Sequence, residues 1–168
     1  LADKPSVADI GFHVAEAVAV STVLNTALRG ALGRKRPYAT DPLDAFAFDG
    51  WEGFSDFDYR AFPSIHASAN FSAAAALTSE VDRRWPGATW WVGITSYGLA
   101  SLPTLSRLEQ GRHWASDLVM GGFIGTVTGL KLVRYHHSHP GNAIDRIFLH
   151  VTPVGGAGTA GVVVRATF

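Results

Sequence analysis

Three arginines, Arg29, Arg36 and Arg107, lie in separate segments of this chain, and each carries a planar fork of donors that matches a tetrahedral oxyanion. Burying three guanidiniums is costly unless an anion or carboxylates neutralise them. Ser64 and Ile65 stand at the start of a predicted helix, where a hydroxyl and free backbone N–H groups add further donors. The set can cradle a phosphate-like group.

Two histidines bring the reactive atoms. His113 and Asp117 are four residues apart, so on a helix they share a face and the carboxylate can accept from Nδ1–H. Nε2 is then unprotonated and directed outward, as an imidazole nucleophile or base requires. His66, two residues after Ser64, stands where a protonated imidazole could hand a proton to a departing alkoxide. Such His and Asp pairs also occur as plain helix-surface contacts, and His66 alone also fits a helix-start histidine. Arg107, six residues before His113, strengthens the chemical reading. His13, His136, His137, His139 and His150 lack comparable context and read as structural or surface residues.

Helices must position these groups. Apolar residues recur at helical spacing through Ala15, Val18, Val23 and Leu24, which predicts a helix over 7–32 with Arg29 in its last turn. Ser64 is a strong N-cap for a second, Ala-rich helix. A third is predicted over 89–102 and a fourth over 112–135, stopped by His136, His137, His139 and Pro140. Between the first two lies a 25-residue connection, 38–62, with eight aromatics and six acids. It reads either as a satellite hydrophobic cluster or as a lid over the cradle that selects the leaving group. Asp49, Glu52, Asp56 and Asp58 do not fit calcium-loop spacing. Beyond residue 142, β-branched residues flank a glycine run, predicting a β-hairpin over 143–168 that packs on the helices or, alternatively, offers an edge to a membrane or a partner.

At 168 residues the chain is sized for a single domain, 1–168, burying roughly 68–70% of its unfolded surface. Charged residues make up 17% of it, lean against the ~25% of soluble domains. Formal net charge is zero, so no bulk attraction to nucleic acid is expected. The absence of cysteine excludes disulfides, thiolate metal sites and Cys nucleophiles. No basic-then-apolar leader opens the sequence, which fits a mature or trimmed start. The uncharged run 86–106 contains Pro86 and Pro103, and charges bracket the apolar stretches 17–28 and 118–130, which favours a soluble helical domain over a membrane span.

Together the islands resemble the three-block signature of the type 2 phosphatidic acid phosphatase superfamily, which includes bacterial class A acid phosphatases and vanadium haloperoxidases. Its first block is Lys, six residues, Arg-Pro, and this chain has Arg29, six residues, Arg36 and Pro37. Its second is Pro-Ser-Gly-His, matched by Pro63, Ser64, Ile65 and His66. Its third, Ser-Arg, five residues, His, three residues, Asp, is matched in full by Ser106, Arg107, His113 and Asp117.

The resemblance implies an all-α bundle with the three blocks meeting at one end. It implies a metal-independent phosphatase acting on a lipid phosphate or a small organic phosphate through a phosphohistidine. By carry-over, His113 attacks phosphorus, Asp117 orients it and His66 protonates the leaving oxygen, while Arg29, Arg36, Arg107, Ser64 and the Ile65 N–H hold the other oxygens. No metal or cofactor is expected, and vanadate should inhibit. The alternatives are a haloperoxidase using vanadate as cofactor, and a non-catalytic anion-binding module of the envelope. The expected location is the periplasm or cell envelope of a bacterium rather than the cytoplasm, with membrane association or an integral position left open. Two departures bear on the site. Arg29 stands for Lys, and Ile65 stands for Gly, where a β-branched residue resists positive φ.

Overall fold

The computed structural model describes residues 7–139, together with the backbone of 151–156 and 159–164. Four helices form the bundle: α1 (Val7–Leu32), α2 (Ile65–Arg84), α3 (Thr89–Glu109) and α4 (Ala115–Ser138). The short helix-like turns Pro37–Ala39, Glu52–Phe54 and Phe57–Tyr59 punctuate the connection from α1 to α2. α2 is the hub, packing against the other three, and α1 also packs on α4.

Local chemistry sets the helix ends. Ser64 caps α2 by accepting the Ala67 N–H at 3.4 Å. α1 ends at Gly33, whose φ of 58° is left-handed backbone that glycine adopts freely, while its N–H still reaches Arg29 O at 3.2 Å. Three boundaries differ from the sequence expectation. α3 runs on to Glu109 through Pro103, which removes one N–H from the ladder without ending the helix. α4 opens at Ala115, which leaves His113 in the loop ahead of it, and runs on through His136 and His137 to Ser138 instead of stopping at 135.

The α2 to α4 contact decides where the site forms. Gly121, Gly125 and Gly129 face the backbone of Ser64, Ser68 and Ser72, and a Cβ on any of the three would collide with those carbonyl oxygens. Small residues thus let the two backbones approach closely. The facing pairs advance by four on both helices, so α2 and α4 run parallel and begin at the same end. The Ser64 N–H donates to Asp117 O at 3.0 Å and locks that end. α1 and α3 carry Arg29 and Arg107 in their last turns.

The interior is built from small side chains. Ala17, Ala67, Ala75, Ala76 and Val133 are fully buried, whereas Trp90, Trp91, Leu99, Leu102 and Phe123 are between 63% and 74% exposed. A water-soluble bundle orders its side chains the other way. This distribution differs from the soluble domain that the bracketing charges favoured. α1 and α4 are both long and apolar enough to cross a membrane, judged by length and composition.

The all-α architecture is the established fold. The described backbone pairs Val151–Gly156 with Thr159–Val164 antiparallel, but the hairpin expected over 143–168 is not carried as part of that fold, because its flanks lie outside the described residues. Its expected packing on the helices also falls outside them.

Candidate active site

The parallel start of α2 and α4 brings His113 and Ser64 together, with His113 Nε2 3.5 Å from Ser64 Oγ. On the other side of the ring Nδ1 lies 2.8 Å from the Ala61 carbonyl oxygen. A carbonyl only accepts, so Nδ1 carries a proton, and in the tautomer this selects it is Nε2 whose lone pair faces the start of α2. His113 is only 2% exposed.

Asp117 takes a different place from the one a shared helix face suggests. Its Oδ2 stands 3.5 Å from His113 Nδ1, because His113 precedes α4 rather than lying on it. The same Oδ2 accepts the Trp114 N–H at 2.8 Å, closing the first turn of α4. Oδ1 binds the Arg34 guanidinium at 2.5 Å. Arg34 also donates to Ser116 Oγ and Ala45 O and lies against the rings of Phe48, Phe62 and Trp114. This buried pair pins the loop after α1 to the start of α4.

The three predicted arginines converge around the two histidines. Arg29, Arg36, Arg107 and His113 all lie within electrostatic reach of His66. Among the described residues no carboxylate forms an ion pair with Arg29, Arg36 or Arg107. Arg36 is 5% exposed and stacks on Phe57, 4.4 Å from the ring centre. Burial pushes its guanidinium below the ordinary value; Tyr38 and Asp58 counter this, and the cations Arg112 and Arg107 add to it. Burial also lowers His66, helped by Arg107, His113, Arg29 and Arg36. Clustered cations with no carboxylate ion pair among the described residues, at two helix N-termini, are an arrangement able to hold an oxyanion.

Ile65 occupies the first turn of α2, and among the described non-glycine residues only Trp51 has positive φ. Helical backbone suits a β-branched residue at this position, so the glycine-to-isoleucine departure imposes no left-handed strain here. Ser64 Oγ is shared, accepting from Ala67 N–H as the cap while its own proton is free to point to His113 Nε2 or to an anion.

The aromatic connection lies on the end of α1. Trp51 N–H donates to Ala31 O at 3.0 Å and Asp49 N–H to Gly33 O at 2.8 Å. Phe54 fills the space beside Gly30, next to Arg29. Between α3 and α4, a cleft of about 300 Å³ opens beside the third block, lined by Leu105, Leu108, Leu118, Val119, Phe71 and Thr104.

Sequence reasoning missed Arg34, Ala61, Arg60 and Arg112. Arg60 and Arg112 add positive charge beside Arg29 and Arg36. Arg34 was signalled by its place in the run Arg34, Lys35, Arg36, and Arg112 by its place beside His113. Nothing in the sequence marks Ala61, which acts through its backbone.

A family model described as the PAP2 superfamily matches residues 10–140. The chain is similar to the lipid A 1-phosphatase of Porphyromonas gingivalis, 33% identical over 70 residues, covering 42% of this chain and 15% of that protein. The lipid A 1-phosphatase of Rhizobium etli is 27% identical over 132 residues, covering 74% and 51%. That of Rhizobium johnstonii is 30% identical over 115 residues, covering 67% and 42%. The chain spans about half or less of the length of these curated relatives. No solved structure matches it.

Proposed function

The chain belongs to the PAP2 superfamily, and from that premise we propose that it is a phosphatase removing a monoester phosphate from a lipid through a phosphohistidine on His113. One observation carries the reading. Ala61 O holds Nδ1–H at 2.8 Å, so the nucleophilic lone pair of Nε2 faces a cation-lined space at the start of α2.

In the first step Nε2 of His113 attacks phosphorus and the bond from phosphorus to the lipid oxygen breaks. His66, as imidazolium, gives its proton to the departing oxygen. Arg29, Arg36, Arg107, Ser64 Oγ and the Ile65 N–H stabilise charge on the remaining oxygens. His113 becomes a phosphorylated imidazolium, whose Nδ1–H stays on Ala61 O with Asp117 3.5 Å away. In the second step neutral His66 takes a proton from water, the water oxygen bonds to phosphorus, and the phosphorus–nitrogen bond breaks to release phosphate. Asp117 acts by holding the loop and the start of α4 through Arg34.

A lipid substrate is supported by the relatives and by the apolar cleft between α3 and α4, which offers an acyl chain a path beside Arg107. Membrane association is supported by the outward aromatic and aliphatic side chains and by the apolar length of α1 and α4. Hydroxyls on α3 bond back into their own helix, Ser96 to Val92 O, Ser101 to Tyr97 O and Thr104 to Ala100 O, as suits apolar surroundings.

The test is release of phosphate from a lipid phosphate in mixed micelles, with label followed onto the protein. The expected result is acid-labile, base-stable label on the wild type and none on His113→Ala, which should also lose at least about a thousandfold in kcat. An active His113→Ala protein would overturn the mechanism. Activity on aryl phosphates with none on any lipid phosphate would overturn the substrate class alone.

A further inference from the structure

At the end of the bundle away from the phosphate cradle, α1, α2 and α4 bring together side chains that the phosphatase chemistry does not use. His13 Nδ1 lies 2.5 Å from Glu80 Oε1, and His137 Nε2 lies 3.1 Å from each Glu80 oxygen. Arg84 donates to Glu80 Oε2 at 2.6 Å. Beside them His136 Nε2 meets Glu16 at 2.7 Å, and the His136 ring stacks on His13 with centres 4.3 Å apart. His13 and Arg29 sit at opposite ends of α1, roughly 24 Å apart along it at 1.5 Å per residue.

We infer that His13 Nδ1, Glu80 Oε1 and His137 Nε2 form a binding site for a divalent transition-metal ion of the zinc class. Two imidazole nitrogens and one carboxylate oxygen are a donor set that zinc takes, and the three atoms all lie within 4.8 Å of one another. Bonds of roughly 2.0–2.1 Å need the ligand atoms about 3.3 Å apart, so the His13 to Glu80 contact opens by less than about 1 Å and the His137 contact barely moves.

The surroundings fit that ion. Glu80 is fully buried on α2 and is already oriented by Arg84 through the oxygen the metal does not need. Among the described contacts, Glu16 and Glu80 face the single full cation Arg84, a balance that favours a further cation when the imidazoles are neutral. The His137 side chain is 27% exposed, which gives the ion a way in and leaves room for water as a further ligand. Three helices contribute one ligand each, so the ion would clasp the end of the bundle. The histidines come from 13 and 137 and the carboxylate from 80, which is why no spacing motif announces the site.

The experiment strips the purified full chain with a chelator and titrates it with Zn²⁺ alone, then with Co²⁺ alone. A single Zn²⁺ per chain is expected by calorimetry, and Co²⁺ should develop the intense visible bands of a four-coordinate site. His137→Ala should weaken zinc binding at least about tenfold, because losing a ligand costs no less than losing a second-sphere partner. His139→Ala, outside the ligand set, should bind as the wild type does. Absence of stoichiometric binding, or equal affinity in His137→Ala, overturns the inference and leaves the cluster a hydrogen-bonded ion network. Imidazole ¹⁵N shifts need no variant: His13 Nδ1 and His137 Nε2 should move together on zinc addition, and unmoved resonances also overturn it. These readouts are independent of whether His113 hydrolyses a phosphate.

Discussion

A neutral imidazole has a single lone pair, and whatever holds its other nitrogen decides where that pair points. Here the holder is a backbone carbonyl, Ala61 O, so the direction of Nε2 depends on the loop before α2 more than on Asp117. Asp117 is bound to Arg34 in a buried pair, and Arg34→Ala should destabilise the fold by about 3–5 kcal/mol, read by urea denaturation, because it leaves a buried carboxylate without its cation. An Arg34→Ala loss below about 1 kcal/mol would show the pair to be expendable. His66 gives a pH signature. Its folded value lies below the ordinary ~6.5, so between the two the unfolded chain binds more protons, and the empty fold loses stability as pH falls through that window. A bound oxyanion favours the imidazolium, so the rise in Tm caused by vanadate should grow on going from about pH 7.5 to about pH 5.5. His66→Ala should remove that growth, and an unchanged pH profile in the variant would place His66 away from the anion. At this scale the three blocks were legible because their residue types and internal spacing are fixed in the sequence, and the structure brings His66, His113 and the three arginines close together. Ala61 was not legible, since a carbonyl has no sequence signature, and Arg34 was signalled only by its basic run, because its work depends on a partner 83 positions away.

At the scale of elements, the four helices followed from apolar periodicity and the Ser64 cap, and so did both ends of α1, while the end of α3 and both ends of α4 did not. His113 falls in the loop because α4 opens at Ala115, with Asp117 capping the Trp114 N–H and closing the first turn, a local use of Asp117 that its spacing from His113 did not reveal. The glycines at 121, 125 and 129 were readable as residues but not as a seam, since only the fold shows which serine faces each. Gly125→Ala sets a Cβ against the Ser68 backbone, which cannot rotate away, and should cost about 1–3 kcal/mol. It should lower kcat as well, by shifting the start of α4 from Ser64. A Gly125→Ala protein with wild-type Tm and turnover would mean that the seam has slack. Val119→Trp, filling the cleft between α3 and α4, should raise KM for a long-chain lipid phosphate several-fold while leaving aryl phosphate hydrolysis near normal. Equal effects on both substrates would remove the acyl chain from that cleft.

For the whole molecule, the side-chain ordering matters more than the topology. Periodicity marks one face of a helix as apolar but does not say what covers it, so the sequence could not reveal that alanines would fill the interior and tryptophans the outside. If lipid covers that outside, Trp90 and Trp91 should be quenched by brominated acyl chains when the chain is mixed with vesicles, and the protein should float with them. A monodisperse, unquenched protein that stays in the aqueous fraction would rule this out. The glycine seam has one further consequence. Its teeth repeat every four residues on both helices, about 6 Å of axial travel, so α4 has no small step available along α2. A slip by one tooth would carry Asp117 past Ser64 and separate His113 from the cradle entirely. The end that carries His113 and Ser64 is therefore set in whole steps, and a displacement of α4 along α2 is expected to dismantle that arrangement rather than adjust it.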